Sequence, residues 1–498
     1  MASSALAIIV PIRIQANLER ILREGASSIL LAVERFLEIT VFSLTALEPV
    51  RAGDVLDREL ELHRRVARDC VDPIFATVLQ NAHQCLSVAG ESERIARQDG
   101  FVPQRSQVKV QVSLLGGSIV SLNTPYFLRR RSKKRRPGRP SKPVRGQSGN
   151  GVYPILALLG IHYRISPALG SEVARLVAQG TQRDALENLA VRGVELKLKV
   201  IQRLVRDFAS RALAYREWCQ SLATPRKPTI NLKGKRIAIA MDGGRIRLRE
   251  TNSRGRRRKS GRRGFKAEWR EPKLLVIYEL DENGRRKAGG LLRYEATLGD
   301  ADRICDLLVG LLKELGAQEA DEWVLLGDGA PWLWNRFGEL AKTLAYDPAK
   351  VTQILDYYHA VEHLQSIADA VKGWKSAERR SWMHLNKKLL QKGDTDSLLV
   401  NCELLCKGRN AKKIRKLLGY FRDHTRRMQY AKFKARRLPI GSGAVESGIR
   451  RVVNLRLKGN GIFWTRATAE GVLHLRAQLL SGRWTTFVKA ILEPTLLW

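Results

Sequence analysis

Apolar positions near the start of the chain repeat at a helical period. Ile21, Leu22, Ile29, Leu30, Ala32, Val33, Phe36 and Leu37 recur about every 3.6 residues, so residues 1 to 105 are expected to be mainly helical. From Gln107 to Phe127 the period falls towards two. Val108, Val110 and Val112 alternate with Lys109 and Gln111, and Gly116–Gly117 supplies a turn, so a β-hairpin is expected within 106–150. Residues 151–225 return to short helices. Ser166–Pro167 opens one, Thr181 opens another, and a third runs from about Glu195 to Ala212. Helix, glycine-containing turn, helix is the outline of a helix-turn-helix, which would put Lys197, Lys199, Arg203 and Arg206 on a candidate recognition helix.

Beyond residue 230 the pattern is that of an α/β domain extending to 498. Arg236 to Met241 is an apolar strand that ends at Asp242. Arg245 to Glu250 alternates and is expected to pair back onto it. Lys273 to Leu280 and Leu291 to Ala296 are further strands, and Asp300 to Leu315 is an amphipathic helix stopped by Gly316. Glu322 to Gly327 is a buried strand running into Asp328, and Val351 to Leu355 leads directly into a helix over Asp356 to Val371. Strands that first form hairpins and then alternate with helices predict a mixed sheet covered by helices.

Charge narrows the function. The 498 residues, enough for about three domains, hold 88 Lys and Arg against 49 Asp and Glu, a net +39. That field attracts polyanions. Three runs concentrate it: Arg129–Arg145 with ten basic residues and no acid, Arg245–Lys266 with eleven against one Glu, and Lys407–Arg437 with thirteen against one Asp. No uncharged apolar run is long enough to span a bilayer; the best, Ile29 to Leu47, is broken by Glu34, Arg35 and Glu38. No signal peptide is expected. The six cysteines form no CxxC pair, which fits a reducing compartment. The expectation is a cytoplasmic, nucleoid-associated protein.

Three carboxylates carry candidate chemistry. Asp242 and Asp328 each follow an apolar strand and precede glycine, in MDGG and GDGA. Asp-Gly is also ordinary turn chemistry, but ligand sites in α/β sheets lie at strand ends. Glu446, in PIGSGAVESGIRR, falls in the first turns of a helix beginning near Ser442, with Arg450, Asn454 and Lys458 at steps of four along one face. Three carboxylates suffice for two hard cations such as Mg²⁺ or Mn²⁺, and two such ions support in-line phosphoryl displacement.

The motifs MDGGRIRLRE, VLLGDGAPWLWN, ILDYYHAVEHL and GSGAVESGIRRVVNLRLKGNG, in that order over about residues 230 to 480, resemble bacterial insertion-sequence transposases of the ISKra group and their relatives. These are DDE enzymes with an RNase H-like fold. The resemblance implies that Asp242, Asp328 and Glu446 form the metal-binding triad. It also implies a helical insertion, about 357–437, in the 118-residue gap between Asp328 and Glu446. Further implications are double-stranded DNA substrates, namely terminal inverted repeats and target, and a homodimer or larger assembly. Asp356 and His359 match a DxxH motif shared with Mutator-like and hAT transposases. With His363 they are candidates for the catalytic pocket or a metal, or else a helix cap with buried histidines. Many relatives carry a cysteine-rich element after the early hairpin, where this chain has its first basic run. Two other readings remain open: an RNase H-like nuclease or resolvase, and a non-catalytic DNA-binding protein derived from a transposase. Arg245 and Arg247, beside Asp242, complete the candidate DNA contacts.

Overall fold

The computed structural model describes residues 27, 30–41, 52–129, 151–222, 230–251 and 264–492. Most of the run 129–145, the stretch 252–263 of the second basic run, and Ile21, Leu22 and Ile29 lie outside the described residues. The chain divides into two compact units, one of residues 1–208 with 488–498 and one of 209–487.

In the first unit a helical stretch at 30–41 is followed by α1 (Ala52–Arg65), a π-helical turn (Val66–Val71), α2 (Asp72–Gln84) and α3 (Leu86–Gln98). The hairpin consists of β1 (Phe101–Ser113) and β2 (Ile119–Arg129). It starts at Phe101, inside the stretch expected to be helical, and register shifts at Pro103 and Arg105 let the extra residues join. Val110, Val112 and Leu114 bury one face of the hairpin with Leu79, Leu122 and Leu156. The Asp72 carboxylate accepts from the amides of Gly116 (3.1 Å) and Ser118 (2.9 Å), fixing the turn. A two-residue strand β3 (Gly151–Val152) pairs with β2, and α4 (Pro154–Leu158), α5 (Pro167–Gln179), α6 (Gln182–Val191) and α7 (Leu198–Ser221) follow. Ser166 caps α5, and Thr181 with Asp184 forms a capping box on α6. The unit boundary falls within α7.

The second unit is built on a five-stranded mixed sheet. Its strands are β4 (Arg236–Gly243), then, after a separate ribbon of β5 (Ile246–Thr251) and β6 (Phe265–Arg270), β7 (Lys273–Glu279), β8 (Leu292–Thr297), β9 (Glu322–Gly327) and β10 (Val351–Leu355). The order across the sheet is β10-β9-β4-β7-β8. β4, β9 and β10 run parallel, and β7 is antiparallel to both β4 and β8. The 245–250 strand therefore does not pair back onto β4. Both edges of β4 are taken by β7 and β9, and β5 pairs with β6 instead. Ile246 and Leu248 still enter the core, as their alternation requires.

Between and after these strands lie α8 (Ala301–Leu315) and α9 (Pro331–Thr343), then α10 (Tyr357–Ala370), α11 (Ser376–Lys392), α12 (Thr395–Glu403), α13 (Ala411–Asp423) and α14 (Tyr430–Ala435). The last five occupy the segment where a helical insertion was expected. Their buried residues Leu390, Leu398, Phe421 and Tyr430 belong to the same core as the sheet. Cys402 is buried there too, and Cys406 donates to its carbonyl, so this pair serves packing. The chain closes with α15 (Gly443–Gly448), a π-helical turn (Ile449–Asn454), α16 (Leu455–Leu457), α17 (Arg466–Leu480) and α18 (Trp484–Ile491). No described helix is long and apolar enough to cross a membrane.

Candidate active site

The sheet brings the first two carboxylates together. Ile237 to Met241 on β4 and Trp323 to Leu326 on β9 are at most 1% exposed, which locks both strands in place. The parallel register pairs Ala240 with Leu326, and two more residues set Asp242 beside Asp328. Neighbouring strands lie about 4.8 Å apart, and in-register residues of parallel strands point to the same face. The β9–β10 register pairs Gly327 with Leu355, so one further residue places Asp356 on the other side of Asp328.

The third carboxylate arrives on a helix. α15 packs on β4 and β7, and Gly448 lets it approach closely. A Cβ there would stand 2.7 Å from Leu274 Cδ2 and 3.0 Å from Tyr294 Cε1. Glu446, itself exposed, lies near enough for its charge, like that of Asp328, to act on Asp242. Burial, followed by the charges of Asp328 and Glu446, pushes the Asp242 carboxyl up to about 6; the Gly243 amide and His359 pull the other way. Each carboxylate is oriented through one oxygen. Gly243 N donates to Asp242 Oδ1 (2.6 Å), Ala330 N to Asp328 Oδ1 (3.0 Å) and Ser442 Oγ to Glu446 Oε1 (3.2 Å). Among the described residues the second oxygen of each accepts no hydrogen bond. Carboxylate oxygens are the ligand type that hard divalent cations take. As they stand, no three Asp, Glu, His or Cys side chains among the described residues converge tightly enough to grip an ion.

Asp356 is committed elsewhere. It is fully buried and caps α10, accepting from Tyr358 N (2.6 Å) and His359 N (3.0 Å) through Oδ1, while Oδ2 accepts from Ser442 N. It thus joins the start of α10 to the start of the Glu446 helix. Of its two helical partners, His359 lies near enough to act on Asp242 and touches Glu362 at 3.4 Å. His363 stacks on Tyr420, its ring centroid 3.7 Å away, and its buried Nδ1 finds no partner. Burial and His359 push its pKa down.

Residues that no local pattern singled out hold the Asp328 turn. Tyr420 OH donates to the Asp328 carbonyl (3.0 Å), and His424 Nε2 meets the Gly329 carbonyl (3.2 Å). Gly329 has φ +96°, and a Cβ there would meet the Tyr420 ring at 2.4 Å. Tyr420 lies on α13 and His424 directly follows its last residue, but they are about ninety residues from the turn they support. Of the two tryptophans after Asp328, Trp334 is buried against Phe337 and His424, and half-buried Trp332 lies under the Lys273 ammonium at 4.4 Å.

The face expected to carry Arg450, Asn454 and Lys458 does not run on. The helix widens into the π turn at Ile449–Asn454 and ends at Leu457, so steps of four lose their register. Arg450 is exposed and Asn454 half-buried, while Lys458 stands in extended backbone past the helix end. Buried Arg476 donates to the carbonyls of Val452 (2.9 Å) and Arg451, satisfying part of the widened turn. Arg245 is exposed. Arg247 is half-buried and donates to the Gly459 carbonyl. Lys197, Lys199, Arg203 and Arg206 are exposed at or on α7, opposite buried Ile201, Leu204 and Phe208. Compared with known proteins, the chain matches no protein-family profile and no curated protein.

Proposed function

We propose that the chain is a DNA transposase of the DDE type, with an RNase H-like catalytic domain in residues 230–498. The observation that carries this reading is the meeting of Asp242 and Asp328 at the ends of adjacent parallel strands, with Glu446 delivered to them on a helix across a long helical insertion. Asp242, Asp328 and Glu446 would hold Mg²⁺ or Mn²⁺. Two such ions, when bound, activate the attacking oxygen and stabilise the leaving one in in-line phosphoryl transfer. The chain's own contribution is to orient each carboxylate through one hydrogen-bonded oxygen and to fix the Asp328 turn through Tyr420 and His424. Exposed basic side chains at Arg245, Arg450 and α7 supply phosphate contacts. The substrates on this reading are duplex terminal repeats and target DNA, held by a homodimer or larger assembly in the nucleoid.

The test is cleavage and strand transfer on labelled DNA carrying the flanking element ends, with Mg²⁺, Mn²⁺ or EDTA. Metal-dependent nicks at the boundary and joined products are expected. Asp328→Ala should abolish both while DNA binding survives, and cleavage by that variant at the normal rate would sink the assignment. Cutting without joining would leave a nuclease. Binding without cutting under any metal would leave a DNA-binding protein.

A further inference from the structure

Beside the carboxylates stands a two-stranded ribbon that the triad chemistry does not require. β5 and β6 pair Ile246 with Arg270, Arg247 with Trp269, Arg249 with Ala267 and Thr251 with Phe265. Directly opposed residues share a face, so the ribbon has two unlike sides. One carries Ile246 and Leu248 into the core. It also carries the ribbon's acids, Glu250 and Glu268, which pair with Arg270 (3.7 and 2.6 Å); Glu268 further meets Lys266 at 3.6 Å.

The other side has Arg247, Arg249, Phe265, Ala267 and Trp269, with no acid among them. Trp269 is 53% exposed and Phe265 44% exposed. Arg247 lies between two rings, its guanidinium carbon 5.5 Å from the Trp269 centroid and 4.7 Å from that of Phe463. Arg245 approaches the same tryptophan at 5.8 Å, and Phe463 meets Phe265 at 5.1 Å. The result is a row of rings and guanidinium groups along about 13 Å of strand, at roughly 3.3 Å per residue.

Rings left open to solvent and interleaved with arginines are a platform for unstacked bases, whose flat faces stack on aromatics while cations meet the phosphates. A duplex keeps its bases stacked on one another and offers these rings nothing comparable. An acid-free face also disfavours a basic partner. The row begins at the catalytic end of the sheet. Trp269 is two residues before Glu271, and a Cβ on Gly243, next to Asp242, would touch the Glu271 carboxylate at 2.3 Å.

We propose that this face of the ribbon binds an unpaired DNA strand at the catalytic carboxylates, stacking its bases on Trp269 and Phe265. The inference takes from the proposed function that DNA strands come to this end of the sheet.

The test uses the full chain in EDTA, so that no cutting is needed. Binding of a labelled oligothymidylate and of a hairpin duplex of equal phosphate number is followed by fluorescence anisotropy. Trp269→Ala is expected to weaken oligothymidylate binding about five- to a hundredfold and duplex binding less than twofold, with Trp269→Phe restoring most of the loss. The duplex affinity serves as the control for folding. Equal loss on both ligands would make the ribbon a general DNA grip and overturn the proposal, and so would no loss on either. A protein that cuts DNA normally but shows no Trp269 effect loses only this inference. A protein that never cuts but shows the selective loss keeps it and loses the transposase reading.

Discussion

Among single residues, Asp242 is where the physics of the site is most exposed. Its carboxyl is raised to about 6 by burial and by the like charges of Asp328 and Glu446, against about 3.9 in an unfolded chain. Between those values the folded state holds more proton than the unfolded one, so this group makes stability fall as pH rises from about 4 to about 6. The full effect is worth at most about 3 kcal/mol, and less because the side chain is only partly buried. In EDTA, the melting temperature of Asp242→Asn should therefore gain on wild type as pH climbs from 4 to 7, then level off. Parallel pH profiles would show Asp242 to be relaxed in the fold. Mg²⁺ should reverse the ranking, since an ion that binds the folded triad stabilises wild type by mass action. Asp356 is the contrast. It sits in register beside Asp328, yet both its oxygens are spent on backbone amides. It acts by position, fixing where the Glu446 helix begins.

Between elements, the decisive contact is α15 on the sheet. Alanine is favoured over glycine in a helix by about 1 kcal/mol, so Gly448→Ala would stabilise the protein if the helix were free. Its new methyl would meet the Leu274 and Tyr294 side chains at 3.0 Å or less, and both are buried in a packed core that resists overpacking. A net destabilisation of about 1–3 kcal/mol is expected, with loss of divalent-ion affinity as Glu446 is pushed off the pocket. Urea unfolding and calorimetric titration measure the two; a more stable variant with unchanged ion binding would refute the packing. This contact also marks how far the sequence could be read. Strands ending in Asp242 and Asp328 were legible because continuous apolar runs broke off at a charge and a glycine. The helix starts at Ser166, Thr181 and Asp300 were legible from capping residues ahead of apolar periodicity, whereas the helical insertion was expected from the family resemblance. The partner of β5 was not, because alternation tells which face is buried and says nothing about which strand lies alongside. Neither was the π turn after Gly448, since its carbonyls are satisfied by Arg476, more than twenty residues on. Tyr420 and His424 escaped notice because their work is done on backbone atoms far away in the chain.

Across the whole molecule, the excess of positive charge is the property that no fold requires. Within the second unit many cations are already engaged. Arg216 is buried against Glu295 and Glu470, Arg436 meets Glu322, and Arg422 meets Glu403. Others are exposed and unopposed by nearby acid in the sequence, such as Lys412, Lys413, Arg415 and Lys416 on α13. The first unit presents its own set at Lys197, Lys199, Arg203 and Arg206. With 88 basic residues against 49 acidic, internal ion pairs cannot neutralise the chain, and on the proposed function the exposed cations serve phosphates. Binding to duplex DNA should then be driven largely by counterion release. If about six or more phosphates are neutralised, affinity falls by at least about a thousandfold between 50 and 200 mM salt. Anisotropy titrations across that range give the number of phosphates from the slope. Reversing Arg203 and Arg206 together to Glu should flatten the slope by about two phosphates without altering ion binding at the triad, which lies in the other unit. A loss of less than tenfold over the whole range would mean that the charge serves something other than the DNA backbone.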